Sequence, residues 1–107
     1  MSTIIRVCVE YKGWPTVYYE PALTAELRAA LARLQKYGWK IRVRRINAEK
    51  ELARLKAQAE ELNQAGATLR GVSGAWLACA VHATCLERLI MDAENAARGQ
   101  GSLLAPV

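Results

Sequence analysis

Three residues that can do chemistry fall along one helical stripe. His82 lies three residues after Cys79 and three before Cys85. At that spacing helical side chains are neighbours. A Cys/His pair of this kind can supply a nucleophile with its base, or two ligands of a metal site. The surroundings argue otherwise. Val81, Ala83 and Thr84 make an apolar setting, and no further Cys or His completes a tetrahedral set. A lone core or partly exposed histidine is the expectation. Glu10 and Glu20 are the other pair, near the ends of two short strands, where facing carboxylates can do acid–base work or hold a metal. They lack a catalytic Asp or His nearby. Gly13 and Gly38 are isolated, and the glycines of 66–74 are not followed by Lys-Ser/Thr, so no phosphate loop is formed. Gly71-Val72-Ser73-Gly74 also lacks the Gly-x-Ser-x-Gly spacing of a nucleophile elbow. The residues argue against an enzyme, with no catalytic residue, metal or cofactor expected.

Charge offers a different chemistry. The 107 residues carry 15 Lys+Arg and 10 Asp+Glu, a net +5. Between Arg33 and Lys56 stand nine cations against Glu49 and Glu51, so this segment is +7 and the rest of the chain −2. Lys40, Arg42, Arg44 and Arg45, with Lys50 and Arg54 following, form a surface able to attract nucleic acid or an acidic protein. The bland alternative is a solvated surface, or a sheet edge blunted by charge. No aromatic residue is interleaved on the cationic face, Trp39 lies on the apolar side, and no helix-turn-helix, zinc or RNP-type motif is present.

These residues need elements to position them. Ile5, Val7, Val9 and Tyr11 alternate with Ile4, Arg6, Cys8 and Glu10, which predicts a strand over 3–11. Lys12 to Pro15 reads as a turn, and Thr16 to Glu20, rich in β-formers, closes a hairpin. Leu23, Leu27, Ala30 or Leu31, and Leu34 recur at helical spacing, with Pro21 suited to the first turn and Gly38 to the stop, predicting a helix over 21–37. Trp39, Ile41 and Val43 alternate with Lys40, Arg42 and Arg44 as a third strand. Asn47 caps a second helix over 48–65, whose stripe Ala48, Leu52, Leu55, Ala59, Leu62 follows coiled-coil spacing. Gly66, Gly71 and Gly74 place a bend at 66–73, with Ser73 as a possible cap. The last helix covers 74–98, its stripe running through Trp76, Cys79, Ala83, Leu86, Ile90, Ala93 and Ala97. Ala75 to Val81 carries no polar side chain and is expected to be buried on several faces. A single bent helix over 48–98 is the rival reading.

The expected fold is α+β, in the order ββαβαα. It has a small three-stranded sheet in strand order 2-1-3 and a coiled-coil-like helical hairpin. A right-handed crossover through the first helix makes the third strand parallel to the second. One domain is expected over 1–98, with sheet and first helix in 1–46 and the helical hairpin in 47–98. A loose tail occupies 99–107. Three cysteines, an odd number without a Cys-x-x-Cys pair, fit reduced thiols in the cytoplasm. The first residues lack the pattern of a signal peptide, and no apolar run is long enough to insert in a membrane.

The functional expectation is a non-enzymatic protein-binding module. It would be a homodimer that inhibits or regulates a host protein machine, as small viral (phage) or mobile-element proteins do; this is an analogy of size and surface. The helices, about 27 and 37 Å long at 18 and 25 residues, leave the longer one overhanging. The second strand, without positive charge, is an open edge. The expected dimer interface is Val17, Tyr18 and Tyr19 with Trp76, Leu86 and Ile90. Lys40, Arg42, Arg44, Arg45, Lys50 and Arg54 would meet the unidentified partner, for which an acidic surface is the complement. The alternative is a basic nucleic-acid-binding regulator using the 40–45 strand.

Overall fold

The two apolar sets that alternate along residues 3–11 each meet their own layer of helix. The structure is a computed structural model that describes residues 2–72 and 74–101. Its elements are β1 (Thr3–Tyr11), β2 (Trp14–Glu20), α1 (Ala25–Lys36), β3 (Lys40–Asn47), α2 (Ala48–Leu69) and α3 (Ala75–Ala97). The fold is α+β in the expected order. The sheet order is β2-β1-β3, with β1 antiparallel to both neighbours, so β3 is parallel to β2. On one face Ile5, Val7 and Val9 pack against Leu27 and Leu31 of α1. On the other, Ile4 and Tyr19 pack against Ala48, Leu55 and Ala59 of α2 and Leu86, Ala93 and Ala96 of α3. The central position suits β1, whose two faces both carry apolar side chains.

Local chemistry sets the boundaries. The hairpin turns at Lys12 (φ 51°) and Gly13 (φ 84°). Two positive φ values in a two-residue loop match the twist of the flanking strands. The turn is therefore tighter than expected, and β2 starts at Trp14. The first helix starts at Ala25, not at Pro21, because the Thr24 side chain accepts the Leu27 N–H at 3.1 Å and caps it. Asn47 caps α2 as expected, accepting the Lys50 N–H at 2.9 Å.

Three further expectations are corrected. The second helix runs to Leu69, past the expected end at 65, and α2 and α3 are two separate helices, not the single bent one of the rival reading. Gly66 stays within α2, while Gly71, at φ 92°, takes the left-handed conformation that ends a helix. α2 and α3 have 22 and 23 residues, so neither overhangs the other. Instead both overshoot the sheet. Among the described residues from Glu60 to His82 none is buried, and the hairpin projects as an arm. The radius of gyration, 15.8 Å, exceeds the roughly 13 Å of a round domain this size. Hence Ala75 to Val81 is not buried on several faces; Leu77 is 55% and Val81 64% exposed. Only one stripe of this apolar segment meets α2, and the sheet ends before it can cover another.

At the end of α3, the Gln100 N–H bonds Asn95 O at 2.8 Å and Gly99 (φ 92°) turns the chain. Ser73, the expected cap, and residues 102–107 of the expected tail lie outside the described residues. Among the described residues no helix is long and apolar enough to cross a membrane.

Candidate functional site

The strand register sorts the cations. Lys40, Arg42 and Arg44 stand opposite Glu10, Cys8 and Arg6 on the hairpin face of the sheet. Arg45 stands opposite Ile5 on the face that carries α1. All four are exposed, as are Lys50 and Arg54 on α2. Lys40 approaches Glu10 at 3.8 Å, a wide, exposed pair of little energetic weight. Arg44 directly faces Arg6. Like charges at such a position destabilise a sheet, and the compensating group is Glu51.

Glu51 is 5% exposed. Its Oε2 accepts hydrogen bonds from Arg6 Nη1 at 3.0 Å and from the Tyr19 hydroxyl at 2.6 Å, and its Oε1 accepts one from Arg54 Nε at 2.8 Å. Burial pushes this carboxyl upward, but the bonds from Arg54, Tyr19 and Arg6 outweigh it and hold its pKa at about 2. Burial, reinforced by the Glu51 carboxylate, pushes the Tyr19 phenol well above its usual value. The bond to Glu51 raises Arg54. The network thus ties β1, β2 and α2 together through a permanent carboxylate. Beside it a cavity of about 220 Å³ is lined by Arg6, Cys8, Tyr19, Arg54, Gln58 and Leu86, among others. That is smaller than the roughly 300–1,000 Å³ of typical ligand pockets. Sequence reasoning counted Glu51 only as an acid among cations. The signal was present: 48, 51 and 55 lie on one helical face, and Arg6 shares a strand face with Ile4.

The groups weighed for catalysis do not converge. Glu10 sits opposite Pro15 and Glu20 opposite Ile5, so the two carboxylates lie at opposite ends of the hairpin. Glu20 is buried, at 2%. His82 is exposed on the arm; Cys85 is exposed, Cys79 half-buried, and all three cysteines are free. No group of three or more His, Cys, Asp or Glu able to hold a metal exists among the described residues.

The six residues expected at a dimer interface are placed unevenly. Tyr19 and Leu86 are buried within the chain's own core. Val17 and Ile90 are half-buried against that core, and Tyr18 against the α1 core. Trp76 is half-buried at the arm's tip, its ring 5.2 Å from the Arg70 guanidinium carbon. What β2 leaves at its edge is chiefly backbone, interrupted by Pro15, which has no N–H to donate.

Two surfaces went unread in the sequence. One is the outer side of α3, with Leu77, Val81 and Met91 exposed. The other is an aromatic cluster where the sheet hairpin turns. Trp14 and Tyr37 are 80% and 74% exposed. Tyr11 stacks on Trp39 at 4.9 Å with ring planes 17° apart. The sequence places Trp14 in a turn and Trp39 on the apolar side of a strand, and neither signal shows that Trp39 stacks on Tyr11. Comparison of the chain with protein-family models, with curated proteins and with solved structures finds no match in any of the three.

Proposed function

We propose that this chain is a non-enzymatic protein-binding module that works as a homodimer, paired through its helical arm. The observation that supports this reading is the outer side of α3. From Ala75 to Leu86 no side chain is acidic or a Lys or Arg, yet Leu77 and Val81 are 55% and 64% exposed. A helix apolar on all sides is normally covered, and exposed apolar patches mark interaction sites. An uncharged face meets its own copy about a two-fold axis without repulsion. α3 is about 34 Å long, long enough for two arms to align as a four-helix bundle. Such a dimer acts by occupying other proteins, as an inhibitor or regulator of a larger machine would.

Light scattering on the full chain across micromolar concentrations tests this. The wild type is expected near twice the 11.8 kDa chain mass, and Leu77→Glu with Val81→Glu near the chain mass with unchanged helix content. Tyr18→Pro, which removes a β2 backbone donor, is expected to leave the dimer intact. A wild type that stays monomeric would overturn the proposal, and loss of the dimer in Tyr18→Pro alone would move the interface to the β2 edge.

A further inference from the structure

We propose that the free edge of β3 takes up an extended acidic peptide as a fourth strand of the sheet. This rests on reading the chain as a protein-binding module, but it does not need the α3 pairing. The backbone comes first. β3 lies at the edge of the sheet, with β1 as its neighbour. Among the described residues no strand pairs with its other side, and no turn or loop backbone bonds to residues 40–46. Arg42, Val43, Arg44 and Arg45 are all exposed. Such an edge presents unpaired N–H and C=O groups that template a further strand. A peptide that adds to an edge gains its affinity from this row and its specificity from alternate side chains. The opposite edge, β2, is interrupted by Pro15, whereas β3 contains no proline.

The side chains select the chemistry of the added strand. Lys40, Arg42 and Arg44 share one face, opposite Glu10, Cys8 and Arg6. They recur at intervals of about 6.7 Å, since alternate strand residues are two rises apart. A peptide strand has the same repeat, so acids at every second position stand beside all three cations. The fold does not neutralise this row. Among the described residues Arg42 and Arg44 make no ion pair, and Glu51 is already held by Arg6 and Arg54. From Leu27 to Ala48 the chain carries seven cations and no acid. The other face is apolar at Ile41 and Val43, which stand opposite Val9 and Val7 of the α1 layer. Val43 is 38% exposed, and apolar residues between the acids would extend that layer over it. The charges that keep a second copy of β3 away are those that attract an acidic strand. A nucleic acid would answer the cations, but it has no amide row for the edge and no alternate apolar groups for Val43.

NMR titration of the isotope-labelled full chain tests the proposal. The probe is a capped peptide of alternating glutamate and valine, matched to the 8 residues of β3. Saturable shifts are expected at the β3 amides. A peptide with the same residues in two blocks should bind more weakly, and one with lysine in place of glutamate should not bind. Alternate amides of a strand point to opposite sides. Methylating one alternate set of peptide nitrogens should therefore abolish binding, and methylating the other set should spare it. Arg42→Gln with Arg44→Gln should weaken binding roughly 2- to 25-fold, from about 1.4- to 5-fold per cross-strand ion pair. Arg42→Glu with Arg44→Glu should bind the lysine peptide instead. Arg44 stands opposite Arg6, so this reversal adds no repulsion within the sheet, and circular dichroism should be unchanged. No shifts at β3, equal binding of the block peptide, or indifference to both methylation patterns would overturn the proposal. So would oligothymidine binding as tightly as the peptide. Light scattering on the same samples separates the two readings. A monomer that binds the peptide would refute the α3 pairing and support the β3 site, whereas a dimer that does not bind it would overturn the β3 site alone.

Discussion

The hydroxyl of Tyr19, on a strand, donates a 2.6 Å hydrogen bond to Oε2 of Glu51, on a helix 32 positions further along the chain. Both side chains are buried, Tyr19 at 0% and Glu51 at 5%. An ionised carboxylate at that depth is stable only while its lone pairs are satisfied. Arg6 and Arg54 bring opposite charge, and Tyr19 brings a neutral donor. The bond therefore fixes how the hairpin base sits on the sheet.

Stability should depend on Glu51 in a defined pH window. Its pKa is lowered from 4.5 to about 2 on folding. The stabilisation is complete above the unfolded value and is lost as pH falls through the folded one. That shift corresponds to about 3 kcal/mol. In urea titrations the wild type should lose stability between about pH 5 and pH 2. Glu51→Gln should be destabilised by about 3 kcal/mol at neutral pH and should show a smaller acid loss. Tyr19→Phe should cost about 2 kcal/mol and keep the acid loss. An identical acid dependence in wild type and Glu51→Gln would show that the carboxylate is not the titrating group.

The sheet was legible because its signals are local. The alternation at 3–11 and 39–45, the turn residues and Asn47 each act within a few positions, and together they specify strand order and direction. Thr24 was as local a signal, yet Pro21, three residues earlier, competed with it and lost. Glu51 and the aromatic cluster were not legible in the same way. Their partners are set by which layer lands on which face, so Arg6, Tyr19 and Glu51 meet only after the hairpin docks. The exposed arm failed for a related reason. An apolar segment such as Ala75 to Val81 reports that something should cover it, but not that the sheet is too short to do so.

The sheet separates two cores, and their stabilities should add. Ile4 and Leu27 are 1% and 0% exposed; Ile4 faces the helical hairpin and Leu27 belongs to the α1 layer. Ile4→Val should cost about 0.5–1.5 kcal/mol and Leu27→Ala about 2–5 kcal/mol. With β1 between the two sites, the double variant should match the sum within about 0.5 kcal/mol. A coupling above about 1 kcal/mol in urea titrations would mean that the cores relax together through the sheet.

Gly66 should resist enlargement even though glycine weakens a helix. It lies inside α2, where replacement by alanine at an open site would gain about 1 kcal/mol. Here an added Cβ would stand 3.3 Å from the Cβ of Cys79 and 3.7 Å from the Trp76 carbonyl oxygen. The missing side chain therefore sets how closely the two helices of the arm approach. Gly66→Ala should give less than the ordinary gain, because Cys79 must yield a few tenths of an ångström. Gly66→Val adds two methyl groups beyond alanine's Cβ, as a β-branched side chain that is stiff at χ1. It should cost about 1–3 kcal/mol through overpacking. Pairing it with Cys79→Ala, which removes the sulfur but keeps the Cβ, should restore only part of that loss; Cys79→Gly should restore more. Thermal unfolding of the wild type and the four variants checks this order. A Gly66→Val variant as stable as the wild type would show that the arm's helices can separate freely at this level, and Gly66 would then be only a tolerated helix defect.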